Sequence, residues 1–277
     1  MKKLFCLLMA AVLLVSCVAC GGGETKDRLE QIKEKGVIEV CTEPYFAPYE
    51  FIDPSKSGDD KYVGMDIEIA KYIANKIGVK LKIVPLEFTA VQAGIADGKY
   101  DMALSAMAYS PSRAEAMNLS NVYMPSETGY GFLVREADKG KYNSIESLKD
   151  AVVITQSGSV QEGLFNTDIT TKGCKEFKRV SSMTDGYLAV KENKADVCIV
   201  AIDSANIYAD ANGGLATTDF RFKVDPNMNG TVAALPKKGT DSLMQIVNQC
   251  IKELTDNGQI QKWNDQYTTY AKQLGVE

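Results

Sequence analysis

Residues 98–108, GKYDMALSAMA, and residues 193–203, NKADVCIVAID, repeat one design. Each runs through a Lys-x-Asp step, an apolar strand and an exit of small residues. Each also follows a stretch of helical periodicity. A chain that builds this unit twice is constrained to an α/β architecture with two lobes, each a largely parallel sheet flanked by helices. Ligands of such sheets bind beyond the carboxyl ends of the strands. The exits Ala106–Ala108 and Ala201–Asp203 are therefore expected to open onto one cleft between the lobes.

The rest of the chain fits this frame. Its 277 residues suit one large domain or two modest ones, and a hydrophobic content of 45% supplies a sizeable core. A short helix and then a strand at Val37–Cys41 are predicted from TKDRLEQIKEKGVIEV. Ile69, Ala70, Ile73 and Ile77 fall on one helical face, and Gly78 ends that helix as a left-handed cap. VKLKIV (79–84) alternates as a half-buried strand does. A helix around Thr89–Ala96 leads to a strand at Met102–Ala106. Near the end, Leu243, Ile246, Val247, Cys250, Ile251 and Leu254 recur at helical spacing, Gly258 caps them, and a last helix carries Trp263 as a core or docking residue.

The first residues are an address rather than part of the fold. Lys2 and Lys3 precede an apolar run from Leu4 to Val15, the pattern of a secretory signal and too short for a comfortable membrane span. LVSC (14–17) has the form of a bacterial lipoprotein box, and CVAC (17–20) is a weaker version followed by Gly21–Gly23 as a tether. Diacylation at Cys17 or Cys20 is expected, because two or three acyl chains anchor stably where one does not. A plain secretory signal is the alternative. On this reading residues 1–20 are signal and lipobox and 21–28 a flexible tether.

Charge and composition exclude several functions. A net charge of -5 argues against nucleic acid, which calls for a basic surface. The chain has no histidine, which removes His-based triads and His-ligated metals. Cys41, Cys174, Cys198 and Cys250 lie far from zinc spacing. They are buried free thiols or, in an exported chain, disulfide partners whose pairing sequence does not give. No metal or cofactor is expected.

One residue sits awkwardly. In SPSRAEAMNLS (110–120) a helix starts near Ser110, placing Arg113 in its first turn, where the helix dipole disfavours a cation. An incoming anion would resolve the conflict.

Six segments, in order, resemble the family 3 solute-binding proteins, the extracellular receptors of polar amino-acid ABC importers. They are VIEVCTEPYFAPYEF (37–51), VGMDIEIAKYIANKIGVKL (63–81), IADGKYDMALSAMAYSPSRAEAMNLSNVY (95–123), SLKDAVVITQSGSVQE (147–162), NKADVCIVAID (193–203) and TVAALPKKG (231–239). The resemblance implies an α/β type II periplasmic-binding-protein fold, two lobes joined by a two-strand hinge. Lobe 1 would take 29–125 and 231–277, and lobe 2 would be 126–230. It implies a monomer, held at the outer face of the cytoplasmic membrane, that hands a free amino acid to a permease and ATPase.

The resemblance also implies roles within a closing cleft. Arg113 would grip the ligand carboxylate with both guanidinium nitrogens, helped by free N–H groups at its helix start. Ala108, where the family has Ser or Thr, would keep only its backbone N–H for that task. Ala106 would offer a carbonyl to the α-ammonium. Ser159 and the Val160 N–H would complete the carboxylate clamp, with Gln156 facing the side chain. Asp203 would hold the ammonium, although it lies two residues beyond the family position, which Ala201 occupies. Glu43 would face the ligand side chain, with Phe46 packing above and Met65 as a second apolar wall. An acid at 43 suits a basic or amide side chain and repels glutamate and aspartate.

Two other functions share these residues. An exported dehydratase acting on a cyclic amino or keto acid would use Glu43 as general acid. A sensing subunit would bind the same ligand without transport.

Overall fold

The computed structural model describes residues 26–126, 128–225 and 230–275. The signal and lipidation expectations at Cys17 and Cys20, and the tether up to residue 25, lie outside the described residues. The end of the expected tether is corrected: Asp27 caps and Arg28 opens the first helix, so the fold begins before residue 29. Helix α1 (Arg28–Lys35) starts at Asp27, whose carboxylate accepts from Leu29 N at 2.9 Å, and stops at Gly36 with φ 70°. The first sheet contains β1 (Val37–Thr42), β4 (Lys80–Pro85), β5 (Met102–Ala103), β6 (Met117–Leu119) and β12 (Ala234–Pro236), in the order β4-β1-β5-β12-β6. β4, β1 and β5 run parallel, while β12 is antiparallel to both neighbours. A hairpin of β2 (Phe51–Ile52) and β3 (Tyr62–Val63) stands beside it.

The second sheet holds β7 (Tyr130–Arg135), β8 (Val152–Gln156), β9 (Glu176–Val180), β10 (Val197–Ala201) and β11 (Leu215–Arg221), in the order β11-β7-β10-β8-β9. The two sheets are the two expected α/β lobes. The chain passes between them where Thr231 N donates to Met124 O at 2.8 Å and Tyr123 N to Thr231 O at 3.0 Å.

Helix packing follows the periodicity read from the sequence. Helix α2 (Met65–Ile77) buries Ile69, Ala70 and Ile73 completely and ends at Gly78 with φ 83°. Each buried isoleucine contributes about 1.5–3 kcal/mol. Helix α8 (Asp241–Asp256) buries Leu243, Val247, Cys250, Ile251 and Leu254, and α9 (Gln259–Leu274) lays Trp263 against the same core. Cys41, Cys198 and Cys250 are buried free thiols; Cys174 is free and half-buried.

The repeated Lys-x-Asp step has one structural job in both lobes. Asp101 accepts from Glu39 N on β1 at 2.8 Å and pairs with Arg28 at 3.2 Å. Asp196 accepts from Val152 N on β8 at 2.8 Å and pairs with Arg135 at 3.1 Å. Each aspartate thus pins the start of its own strand to the parallel neighbour and closes the contact with one arginine. The strand after Asp101 is shorter than predicted, ending at Ala103 rather than Ala106. Ala106 takes φ 44°, a left-handed conformation that lifts the chain out of the sheet.

Trp263, the single tryptophan, reports on the first lobe. Asp101→Ala is expected to lower the stability seen by its fluorescence in urea by about 1–3 kcal/mol, the cost of stranding a buried N–H. Asp196→Ala, acting in the other lobe, shifts that signal much less.

Candidate functional site

The exits of β5 and β10 open onto one cavity between the lobes, lined by Ala106 and Ala108 on one side and Ala201 and Asp203 on the other. Glu43, Phe46, Arg113, Gln156, Ser159 and Val160 line it too. Nine of the ten ligand contacts expected from sequence therefore share one wall-to-wall space. Met65 does not. Opening α2 directly after Gly64, it is fully buried in the first lobe's core and forms no part of the cavity lining.

Arg113 lies in the short helix α4 (Pro111–Ala116), capped by Ser110, whose hydroxyl accepts from Arg113 N at 3.3 Å. That N–H is spent on the cap, so the side chain rather than the helix start carries the cationic function. The guanidinium is buried, 7% exposed. Nη1 donates to Ala108 O at 2.6 Å, Nη2 to Gly158 O at 2.9 Å and Nε to Gln92 Oε1 at 3.2 Å. Gln92 sits on α3 (Phe88–Ala96), and the Phe88 ring lies 5.4 Å from the guanidinium carbon. All three acceptors are neutral, and burial without a counter-charge pulls the Arg113 pKa down to about 10.

Several sequence expectations change in detail. Ala108 is held through its carbonyl, which Arg113 occupies. Ala106 N donates to Asp66 Oδ2 at 2.9 Å, so a buried aspartate of α2 sets the orientation of that peptide. The Ser159 hydroxyl is committed to structure: it accepts from Glu162 N at 3.1 Å, capping α5 (Val160–Leu164), and donates to Gln156 O at 2.7 Å. Asp203 falls in the first turn of α7 (Ile202–Asn212), exposed at the cavity edge.

Glu43 lines the same cavity and is tied to Ser105, at the start of the exit that leads to Ala108. Its N–H donates to Ser105 Oγ at 2.9 Å. Its carboxyl is 3% exposed, and Oε1 has no hydrogen-bond partner. Desolvation, opposed by the Gln156 amide and reinforced by Asp185 and Glu87, raises its pKa to about 8. Phe46 stacks on Tyr49 at 5.8 Å and packs into the second lobe's core.

Sequence reasoning missed Gln92, Gly158, Asp66 and Glu50. Gln92 and Gly158 close the lobes, with Gln92 Nε2 donating to Gly158 O at 3.2 Å. Glu50, 1% exposed, lines the cavity with its carboxyl against that of Asp66 and no other hydrogen-bond partner. An acid inside the aromatic run PYEF was the available signal.

The family model for bacterial extracellular solute-binding proteins, family 3, matches residues 38–270. The chain belongs to this family. The arginine-binding extracellular protein ArtP of Bacillus subtilis (strain 168) is 27% identical over 274 residues, covering 98% of this chain and 100% of ArtP. An amino-acid ABC transporter substrate-binding protein from Streptococcus pneumoniae Canada MDR_19A, solved bound to L-arginine, superposes with TM-score 0.80 at 29% identity. It covers 88% of this chain and 98% of its own. Cyclohexadienyl dehydratase of Pseudomonas aeruginosa PAO1 is 26% identical over 125 residues, 45% of each chain. This family 3 chain thus has the type II periplasmic fold that its two lobes predict.

The raised Glu43 carboxyl has a signature in stability. Between its ordinary value of 4.5 and about 8 the folded state binds more protons there than the unfolded chain. Stability of the ligand-free protein therefore falls as pH rises through that window and levels off above it. Thermal unfolding between pH 5 and 9 is expected to show this decline, and Glu43→Gln to make it shallower, the raised Glu50 and Asp66 carboxyls keeping part of it.

Proposed function

We propose that this chain is the lipid-anchored receptor of an ABC importer. It binds a basic or amide-bearing L-amino acid between its closing lobes and delivers it, as a monomer, to the permease and ATPase in the membrane. The observation that carries the reading is Arg113, a buried guanidinium whose protein partners are all neutral oxygens. A carboxylate arriving in the cavity supplies the missing charge. Glu43 suits a cationic or amide side chain, and Phe46 offers an apolar wall on the same cavity. Asp203 offers the α-ammonium a carboxylate from the second lobe, and the Ala106 carbonyl and the Val160 N–H lie on the same cavity. The arginine named for ArtP and bound in the Streptococcus pneumoniae protein fits this charge pattern.

Titration calorimetry with L-arginine, preceded by a thermal-shift screen of the twenty amino acids, tests the reading. Arg113→Ala is expected to weaken binding at least about thirtyfold, since stranding one member of a buried charge pair costs about 2–5 kcal/mol. Glu43→Gln lowers affinity for arginine far more than for glutamine. Normal binding by Arg113→Ala removes the carboxylate assignment.

Anchoring places the receptor at the outer face of the cytoplasmic membrane through Cys17 or Cys20. Detergent phase partitioning of the full chain checks this: Cys17→Ser or Cys20→Ser, whichever carries the lipid, moves the protein to the aqueous phase.

A second reading rests on the same Glu43, a carboxyl protonated at neutral pH inside a cleft. Such a group can act as general acid on a leaving hydroxyl, and a dehydratase is among the relatives. Turnover of a cyclic amino or keto acid on incubation would favour it over binding alone.

A further inference from the structure

The first-lobe side of the cavity presents its polar groups in order along one strand exit. Glu43 is tied to Ser105, whose hydroxyl accepts its N–H. Asp66 is tied to Ala106, accepting that N–H at 2.9 Å. Arg113 is tied to Ala108, whose carbonyl it holds at 2.6 Å. A basic amino acid carries its groups in the same order: side-chain cation, α-ammonium, carboxylate. The middle station therefore needs an anion, and Asp66 is already engaged. Its oxygens accept from Tyr123 Oη at 2.8 and 2.9 Å as well as from Ala106. Beside it, its carboxyl against that of Asp66, stands Glu50, buried to 1% exposure and lining the cavity, with neither oxygen bonded to any other group.

We infer that Glu50 is the anionic anchor of the ligand's α-ammonium group. This rests on the amino-acid reading above and adds a residue that reading does not use. Asp203, the acid on the other lobe, is exposed to water, and a charge pair there is worth little. Glu50 sits where water is excluded, so a cation placed against it is held strongly. The groups facing Glu50 are Asp66 from α2, Glu43 from the segment after β1 and, through Asp66, the Tyr123 hydroxyl; Arg113 and Asp203 lie on the same cavity. Burial first, then the Asp66 and Glu43 carboxylates, raise the Glu50 pKa well above the ordinary range. That direction favours the protonated form of Glu50 in the ligand-free cleft. The ammonium displaces that proton to solvent, and a carboxylate–ammonium pair forms in its place.

The test compares L-arginine with 5-guanidinopentanoate, which keeps the guanidinium and carboxylate but lacks the α-ammonium. With Glu50→Gln, affinity for L-arginine is expected to fall at least tenfold and affinity for the analogue to stay within twofold. Asp203→Asn is expected to cost L-arginine less than Glu50→Gln does. Equal losses for both ligands, no loss for either, or a larger loss in Asp203→Asn would overturn the assignment while leaving the amino-acid reading in place. A wild-type chain that binds neither ligand overturns both. Should Glu50→Gln fail to fold, calorimetry of the unaltered protein at pH 7, in two buffers of different ionisation enthalpy, decides the matter. L-arginine should release about one proton more than the analogue; equal proton counts overturn the assignment.

Discussion

A guanidinium taken out of water costs several kcal/mol unless its N–H groups find oxygen elsewhere, and Arg113 finds three: Gln92 Oε1, Ala108 O and Gly158 O. Two of these lie on its own lobe and the third on the other. The bond to Gly158 is thus part of what holds the lobes together, while the remaining N–H groups stay available to a ligand. Hydrogen bonds to neutral oxygens satisfy geometry but do not cancel charge, and the depressed Arg113 pKa measures that deficit. Every other feature of the cleft can be placed by its distance from this uncompensated charge.

The opposite deficit stands a few residues away. Glu43, Glu50 and Asp66 are buried acids in the first lobe, each with its pKa pushed upward by desolvation. Three carboxylates ionised side by side in such a space would repel strongly. Protonation relieves the repulsion, and Asp66 gains further from the Tyr123 hydroxyl and the Ala106 N–H. The cleft is therefore polarised, with a cation without an anion at Ala108 and acids without a cation toward Ser105. On the proposed function, a zwitterion with a basic side chain would meet both kinds of group at once, whereas an acidic side chain would add to the crowding. Selectivity would then follow from the charge layout more than from the shape of the apolar walls.

Most of the framework was legible in the sequence because it depends on side-chain pattern. The twin Lys-x-Asp steps located both parallel strands and their exits, and Asp101 and Asp196 prove to make matching bonds. The periodicity of Ile69, Ala70 and Ile73 and the cap at Gly78 gave α2 nearly to the residue. Errors fall where backbone atoms or neighbouring lobes decide. Met65, a pocket wall by resemblance to the family, goes to the core at the turn into α2. Ser159 and Ala108 do line the cavity, but the Ser159 hydroxyl also caps a helix and the Ala108 carbonyl also holds Arg113, bonds that residue identity does not reveal. Glu50 alternates like a strand residue in PYEF, and its burial exists only once α2 and the second lobe close around the hairpin.

Closure and recognition use the same atoms. Phe46 leaves the first lobe to pack among the second lobe's core residues, the Thr184 hydroxyl donates to Tyr45 O at 3.3 Å, and Lys272 pairs with Asp210 at 2.7 Å. The exposed Lys272–Asp210 pair contributes little by itself. The contacts that matter are those within the cleft, where Arg113 and Gln92 both donate to Gly158 O across the lobes. On the function proposed above, a ligand that satisfied Arg113 and Glu43 would stabilise the closed arrangement over an open one in proportion to its preference for it. A molecule engaging only one end would leave the other group buried and unpaired and gain less from closure. The crossover at Met124 and Thr231 would then need no switch of its own, because the cost of closing on an unbalanced cleft would supply the discrimination.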